Sequence, residues 1–172
     1  EMGDFKDQGA VDAFIAAVNA IAFSCRPLSG RALIFINPVS GSKLGPKRFK
    51  AVHHLFQLAG VEFDAVTTTH HGHAADVVSG ITVDKYSAII SVSGDGTVNE
   101  IYTALLARGD EFAMGVPVGI IPAGSEGTLA KMSTYFNPLA AAYVILKSHE
   151  VRPLDVLSIV QGENTMYAVC GL

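Results

Sequence analysis

Tyr86-Ser-Ala-Ile-Ile-Ser-Val-Ser-Gly-Asp-Gly-Thr97 passes from a short apolar run straight into a glycine turn. The residues that follow, Val98 to Ala107, set Ile101, Leu105 and Leu106 at helical spacing. A buried strand, a tight turn and an amphipathic helix in succession form the repeating unit of a parallel sheet. The unit recurs upstream. Ala32-Leu-Ile-Phe-Ile36 predicts a first strand, ended at Asn37-Pro38 because proline removes a backbone donor. Pro46 to Ala59 carries Phe49, Val52, His53, Phe56 and Leu58 near helical period and stops at Gly60. Val61-Glu-Phe-Asp-Ala-Val66 predicts a second strand, followed by Thr67-Thr68-Thr69 and a helix from His73 to Gly80. Downstream, Val116 to Ile121 reads as a fourth strand after the third, Tyr86 to Val92.

This alternation predicts an α/β fold: an open, mostly parallel, doubly wound sheet with helices on both faces and right-handed crossovers. The last third departs from it. Pro138 to Lys147 is helical, but Leu154 to Val160 and Met166 to Cys170 are strands with only Gln161 to Thr165 between them, the spacing of a β-hairpin. At the other end, Val11, Phe14, Ile15, Val18 and Ala22 recur at helical spacing and predict a core-covering helix. That stretch contains Asp12 and Asn19 and is too short for a membrane span; acidic residues precede it, unlike a signal peptide.

The chain has 172 residues, 49% hydrophobic and 16% charged, which excludes intrinsic disorder and suits strands covered on both faces. A net charge of −4 gives no global pull toward nucleic acid, so any anion site must be local. Cys25 and Cys170 have neither CxxC spacing nor a disulfide framework. No internal repeat or low-complexity tract interrupts the chain.

In an open parallel sheet, ligands bind outside the carboxyl ends of the strands. The four segments at those positions share one character: Asn37-Pro-Val-Ser-Gly-Ser-Lys43, Thr67-Thr-Thr69, Ser93-Gly-Asp-Gly-Thr97 and Ala123-Gly-Ser-Glu-Gly-Thr128. Glycine permits close backbone approach, hydroxyls and amides donate to phosphate oxygens, and each helix N-terminus adds partial positive charge. An anion can thus be held without many lysines. Any one segment, Gly94-Asp-Gly96 included, could be a plain turn; their recurrence at four successive strand ends favours a nucleotide site. Neither GxxxxGK[ST] nor a strand-following GxGxxG is present, which argues against a P-loop enzyme and an ordinary dinucleotide fold.

Asn37-Pro-x-Ser-Gly41, Thr68-x-x-x-Gly-His-Ala74, Ser93-Gly-Asp-Gly-Thr-x-Asn-Glu100 and Ile121-Pro-Ala-Gly-Ser125, in this order, resemble the diacylglycerol kinase catalytic domain family. That family includes sphingosine, ceramide and acylglycerol kinases, and the resemblance runs from Arg31 to Leu172. It implies an enzyme that transfers the γ-phosphoryl of ATP, with Mg2+, to a lipid hydroxyl of the sphingosine, ceramide or diacylglycerol class. It also implies a division into an N-terminal helical extension (1–30), an α/β ATP-binding domain (31–150) and the start of a crossover (151–172). The crossover would lead to a C-terminal β-sandwich lipid domain not contained in this chain, so these residues alone would be inactive.

Carried over by position, the resemblance implies nucleotide contacts at Asn37, Pro38, Val39, Ser40, Gly41, Thr68, Ser93, Gly94, Gly96, Thr97, Glu100, Gly124, Ser125 and Glu126. Asp95 takes the place of the aspartate that activates the lipid hydroxyl, a sensible group where phosphoryl transfer needs the nucleophile positioned and its proton accepted. Asp95 can also cap the following helix. One departure stands out: Gly124-Ser-Glu-Gly-Thr-Leu-Ala130 has Gly127 where many members have asparagine. That departure motivates a second reading, a non-catalytic or regulatory nucleotide-binding member. A third, an NAD kinase-like small-molecule kinase, follows from the shared Gly-Asp-Gly turn. The lipid-kinase reading implies ATP and a lipid as partners, no nucleic acid, no transmembrane segment, and a cytoplasmic protein with peripheral membrane association.

The remaining candidates are weaker. His70, His71 and His73 crowd one loop without a cysteine nearby, so a surface loop with His73 capping a helix is preferred over a metal site. Lys43 is a candidate phosphate contact, whereas Lys47 and Lys50 read as the solvated face of a helix.

Overall fold

A computed structural model of the chain describes residues 8–22, 28, 30–41, 43–82, 85–124, 137–147, 151–162 and 164–169. Its centre is a sheet of four parallel strands, β1 (Ala32–Ile36), β2 (Phe63–Thr67), β3 (Ala88–Ser93) and β4 (Val118–Pro122), in the order β2-β1-β3-β4. The two central strands are buried along their whole length. That burial is why they read as unbroken apolar runs: each residue meets a helix on one face or the other.

Alternation divides the core in two. Ala32, Ile34, Ile36, Ile90 and Val92 pack with Val52 and Phe56 of α2 (Gly45–Leu58) and with Ala141, Ala142 and Leu146 of α6 (Pro138–Lys147). Leu33, Phe35 and Ile89 pack with Ala74 and Val78 of α3 (His73–Gly80) and with Ile101, Ala104 and Leu105 of α4 (Asp95–Arg108). Each fully buried Leu, Ile or Phe contributes about 1.5–3 kcal/mol by leaving water. The fold is therefore the doubly wound α/β sheet that the sequence predicts. Because the chain leaves β1 toward β2 and returns on its other side as β3, the topological switch point lies at the carboxyl ends of β1 and β3.

Several boundaries differ from the sequence reading. Helix α4 begins at Asp95, directly after β3, where the sequence predicts a turn through Thr97. Gly94 sits extended as its N-cap, at φ −99° and ψ −177°, so a single residue changes strand into helix. Strand β2 starts at Phe63, β3 at Ala88 and β4 at Val118, each two residues later than predicted. A short helix, α5 (Glu111–Gly115), was not predicted; the Asp110 carboxylate accepts the Ala113 N–H at 2.7 Å and starts it. The hairpin is tighter than predicted, with β5 (Leu157–Gln161) and β6 (Asn164–Ala168) turning through Gly162 at φ 62°. It forms its own sheet and leans on α4, where Asn99 Oδ1 accepts the Val169 N–H at 3.2 Å and Thr103 Oγ1 donates to the Tyr167 carbonyl at 3.3 Å.

The helix α1 (Gln8–Ala22) forms where expected, yet residues 12–18 are all exposed and Phe14 is 70% exposed. The prediction that it covers the core is therefore overturned: its apolar spacing does not meet the core packing built by α2, α3, α4 and α6.

Charge gathers at the amino-terminal end of the sheet. Asp64 accepts from Arg31 at 2.7 Å, Lys85 at 2.8 Å and Tyr86 at 2.8 Å. Hydrogen bonds from Lys85, Tyr86 and Arg31 hold its carboxyl well below the usual carboxylate range. On the helical layer, Arg108 of α4 donates to the carbonyls of Val78, Ser79 and Ile81, satisfying the C-terminal end of α3.

Candidate functional site

The site is built on the switch point. The Asn37 N–H donates to Val92 O at 3.2 Å, which keeps the first loop against β3 just beyond β1. The Asn37 side chain is used twice within the protein: Oδ1 accepts the Val39 N–H at 2.9 Å, and Nδ2 donates to Thr97 Oγ1 at 2.8 Å. One amide thus ties the first loop to the first turn of α4. Gly45, which sequence reasoning did not single out, starts α2 against this knot; a Cβ there would be driven into the Asn37 carbonyl.

Two glycine backbones close the other side. A Cβ on Gly94 would stand 2.8 Å from Ser40 Oγ and 3.1 Å from Gly124 Cα. A Cβ on Gly124 would stand 2.6 Å from Gly94 Cα. Contacts under 3.0 Å essentially never occur for a real Cβ; at Gly124 the obstacle is backbone, so glycine is required there for the segments after β3 and β4 to meet, whereas at Gly94 the nearest atom is the movable Ser40 hydroxyl. The N–H groups of Ala123 and Gly124 both donate to Ser93 O, at 2.9 and 3.2 Å, and fix the fourth segment beside the third.

Between the first loop, the loop after β2 and the start of α4 lies a cleft of about 260 Å³. This is below the ~300–1,000 Å³ of pockets that enclose a whole ligand, so it is an open cradle for part of one. Eight of the predicted residues line it: Asn37, Pro38, Val39, Ser40, Thr68, Gly96, Thr97 and Glu100. Three others join them, Thr69, His70 and His71. Gly41, Ser93, Gly94 and Gly124 are not among the lining residues. Ser93 is buried, and its hydroxyl donates to the Gly94 carbonyl at 3.0 Å; Gly94 and Gly124 form the backbone contact just described. Ser125, Glu126 and Gly127 lie outside the described residues.

Asp95 is the first residue of α4, next in the chain to the cleft-lining Gly96. It is not the N-cap, a position held by Gly94 without a side-chain hydrogen bond. The first turn of α4 therefore brings the positive end of a 14-residue helix to the cleft. Lys43 is exposed and outside the lining set, turned back by its N–H to Ser40 O at 2.9 Å.

The loop after β2 departs from its prediction. Gly72, not His73, is the N-cap of α3. His73 Nδ1 instead accepts the Thr69 N–H at 3.1 Å and holds that loop in place. His71 Nε2 stands 3.8 Å from Glu100 Oε1 across the cleft, with the Glu100 side chain only 16% exposed. No signal in the sequence placed His70 and His71 at the site, because their neighbours come from a helix far along the chain. Among the described residues, no three His, Cys, Asp or Glu side chains gather to hold a metal ion. No helix among them is long and apolar enough to cross a membrane.

Comparison with known proteins places this geometry. The family model described as "Diacylglycerol kinase catalytic domain" matches residues 31–159. Sphingosine kinase B of Dictyostelium discoideum is 35% identical over 144 residues, covering 83% of this chain and 19% of the relative. The mitochondrial acylglycerol kinase of Xenopus laevis is 32% identical over 151 residues, covering 83% of this chain and 35% of the relative. The chain thus spans a minor part of the length of the relatives it matches. A crystal structure of a putative diacylglycerol kinase from Bacillus anthracis str. Sterne shares the fold, with a TM-score of 0.63 at 24% identity over 77% of this chain and 43% of that one.

Proposed function

Because the chain belongs to the diacylglycerol kinase catalytic domain family, we propose that it is the ATP-binding part of a lipid kinase. The reaction is transfer of the γ-phosphoryl of ATP to the hydroxyl of a sphingoid or glycerol-based lipid. The observation that carries this reading is a cleft at the carboxyl ends of the strands, between the loops after β1 and β2 and the first turn of α4, with the first loop tied to α4 by the Asn37–Thr97 bond. A cleft so placed offers amide groups and a helix N-terminus as the recognition surface, which suits phosphate oxygens.

In this reading Ser40, Thr68, Gly96, Thr97 and Glu100 contact the nucleotide, and Asn37 keeps their loops in register. Gly94 and Gly124 let the segments after β3 and β4 meet. Asp95 accepts the proton of the attacking lipid hydroxyl. Mg2+ accompanies the phosphates and offsets their charge. Lipid binding and the accompanying contact with a membrane surface belong to a further β-rich lobe, toward which the crossover at 151–172 leads.

A titration of thermal stability with Mg-ATP tests the reading, with saturable stabilisation expected. No stabilisation at millimolar Mg-ATP would remove it. Phosphoryl transfer to sphingosine, ceramide and diacylglycerol, assayed in the full-length protein beside Asp95→Asn, separates enzyme from non-catalytic member. Binding without transfer in the wild type would favour the latter.

A further inference from the structure

Mg2+ offsets part of the negative charge a nucleotide brings, and the residues of the cleft bear on the remainder. Of the described side chains lining the cleft, only His70, His71 and Glu100 can carry a full charge. Lysine and arginine are absent from that set, yet a nucleotide polyphosphate brings several negative charges toward a largely buried carboxylate. Helix α4 supplies about half a unit charge at its N-terminus, too little to offset Glu100 as well. Resting on the ATP-binding reading, we infer that His71 is a phosphate-contacting residue whose imidazolium, set between Glu100 and the phosphates, supplies the positive charge of the cleft.

The geometry favours His71 over its neighbour. Its Nε2 lies 3.8 Å from Glu100 Oε1 while its side chain is 97% exposed, so it keeps a free edge toward an incoming anion. His70 is turned to its own loop, with Nδ1 3.1 Å from the His71 carbonyl and its ring 4.9 Å from that of His73. His73 is committed to Thr69. Among the described residues, the titratable groups on this side of the cleft are Glu100 of α4, 3.8 Å from His71, and His70 beside it in the loop, with Asp95 at the start of α4; the first loop presents Asn37, Pro38, Val39 and Ser40, which carry no charge. Histidine is the side chain that ordinarily gains its charge between pH 5 and 8, so binding through an imidazolium takes up a proton and weakens as pH rises.

The test measures Mg-ATP and magnesium tripolyphosphate affinity by calorimetry from pH 6 to 8 in two buffers of different ionisation enthalpy. Wild type, His71→Gln, His71→Arg and His70→Gln are compared in the full chain. Titration of the phosphates themselves is common to all four proteins and cancels in the differences. Wild-type affinity is expected to fall about tenfold more across this range than that of His71→Gln, with net proton uptake on binding that His71→Gln lacks. His71→Arg should bind tightly without the slope that His71 contributes, and His70→Gln should keep the wild-type pH slope whatever its affinity. Equal slopes in wild type and His71→Gln overturn the inference while leaving the ATP reading intact, as does a slope lost in His70→Gln instead. A slope present for ATP but absent for tripolyphosphate overturns the assignment to phosphate. Failure of the wild type to bind Mg-ATP at any pH removes the parent reading as well.

Discussion

Replacing Gly94 by alanine is the sharpest probe of the switch-point architecture, because its cost can be worked from two distances. The new Cβ would stand 2.8 Å from Ser40 Oγ and 3.1 Å from Gly124 Cα. The serine hydroxyl can rotate away, but the Gly124 backbone must move by a few tenths of an ångström, carrying the fourth loop with it. Overpacking of this kind costs about 1–3 kcal/mol. At about 2–4 °C per kcal/mol for a domain of this size, the melting temperature should fall by about 2–12 °C. Gly96 is the internal control: it lines the same cleft, and a Cβ there meets nothing within 4 Å. Gly96→Ala should keep or raise the melting temperature, since alanine is the better helix former, while weakening Mg-ATP binding about tenfold through the space it takes from the phosphates. Differential scanning fluorimetry and an Mg-ATP titration read both quantities. A Gly94→Ala protein as stable as wild type, or a Gly96→Ala protein that is less stable, would refute the steric reasoning.

Two other outcomes follow from the hydrogen bonds. Asn37→Asp removes the donor to Thr97 and puts a carboxylate in an anion cleft, so Mg-ATP affinity should drop at least tenfold; an unchanged titration would show that the loop knot is not needed for binding. Asp64→Asn should lower the melting temperature at pH 7, but modestly, because the cluster is partly solvent-exposed. The Asp64 carboxyl titrates below its unfolded value, so its stabilisation is full above about pH 4 and fades as pH falls toward the depressed folded value. The gap between wild type and Asp64→Asn, followed from pH 7 to 2.5, should therefore close in acid; a constant gap counts against the cluster.

What the sequence discloses depends on how locally each feature is determined. Strands β1 and β3 are legible because burial on both faces leaves an unbroken apolar run, and α2, α3 and α6 because their periods match. The start of α4 is not, since Gly94-Asp-Gly96 has turn composition and only the extended Gly94 lets the helix begin at once. Helix α5 depends on one side-chain bond from Asp110, which no period records. The four strand-end segments of the site are legible as composition. Their connections are not: Asn37 and Thr97 are 60 positions apart, and Gly45 matters only because it meets a carbonyl of the first loop. His71 likewise acquires its partner Glu100 only once α4 is packed beside the loop after β2.

The two ends of the sheet divide the work. At the amino-terminal end, full charges from Arg31, Asp64 and Lys85 tie β1, β2 and the approach to β3 together. At the carboxyl end, glycine contacts, one asparagine and a helix N-terminus do the shaping, and among the described residues lining the cleft only His70, His71 and Glu100 are ionisable. An acidic protein can therefore bind a polyanion without a basic surface, because recognition is built from backbone geometry rather than net charge. The consequence is a separation of sensitivities. Added volume at Gly94 or Gly96 should change nucleotide binding sharply, whereas neutralising Asp64, at the opposite end of every strand, should change stability and leave binding alone.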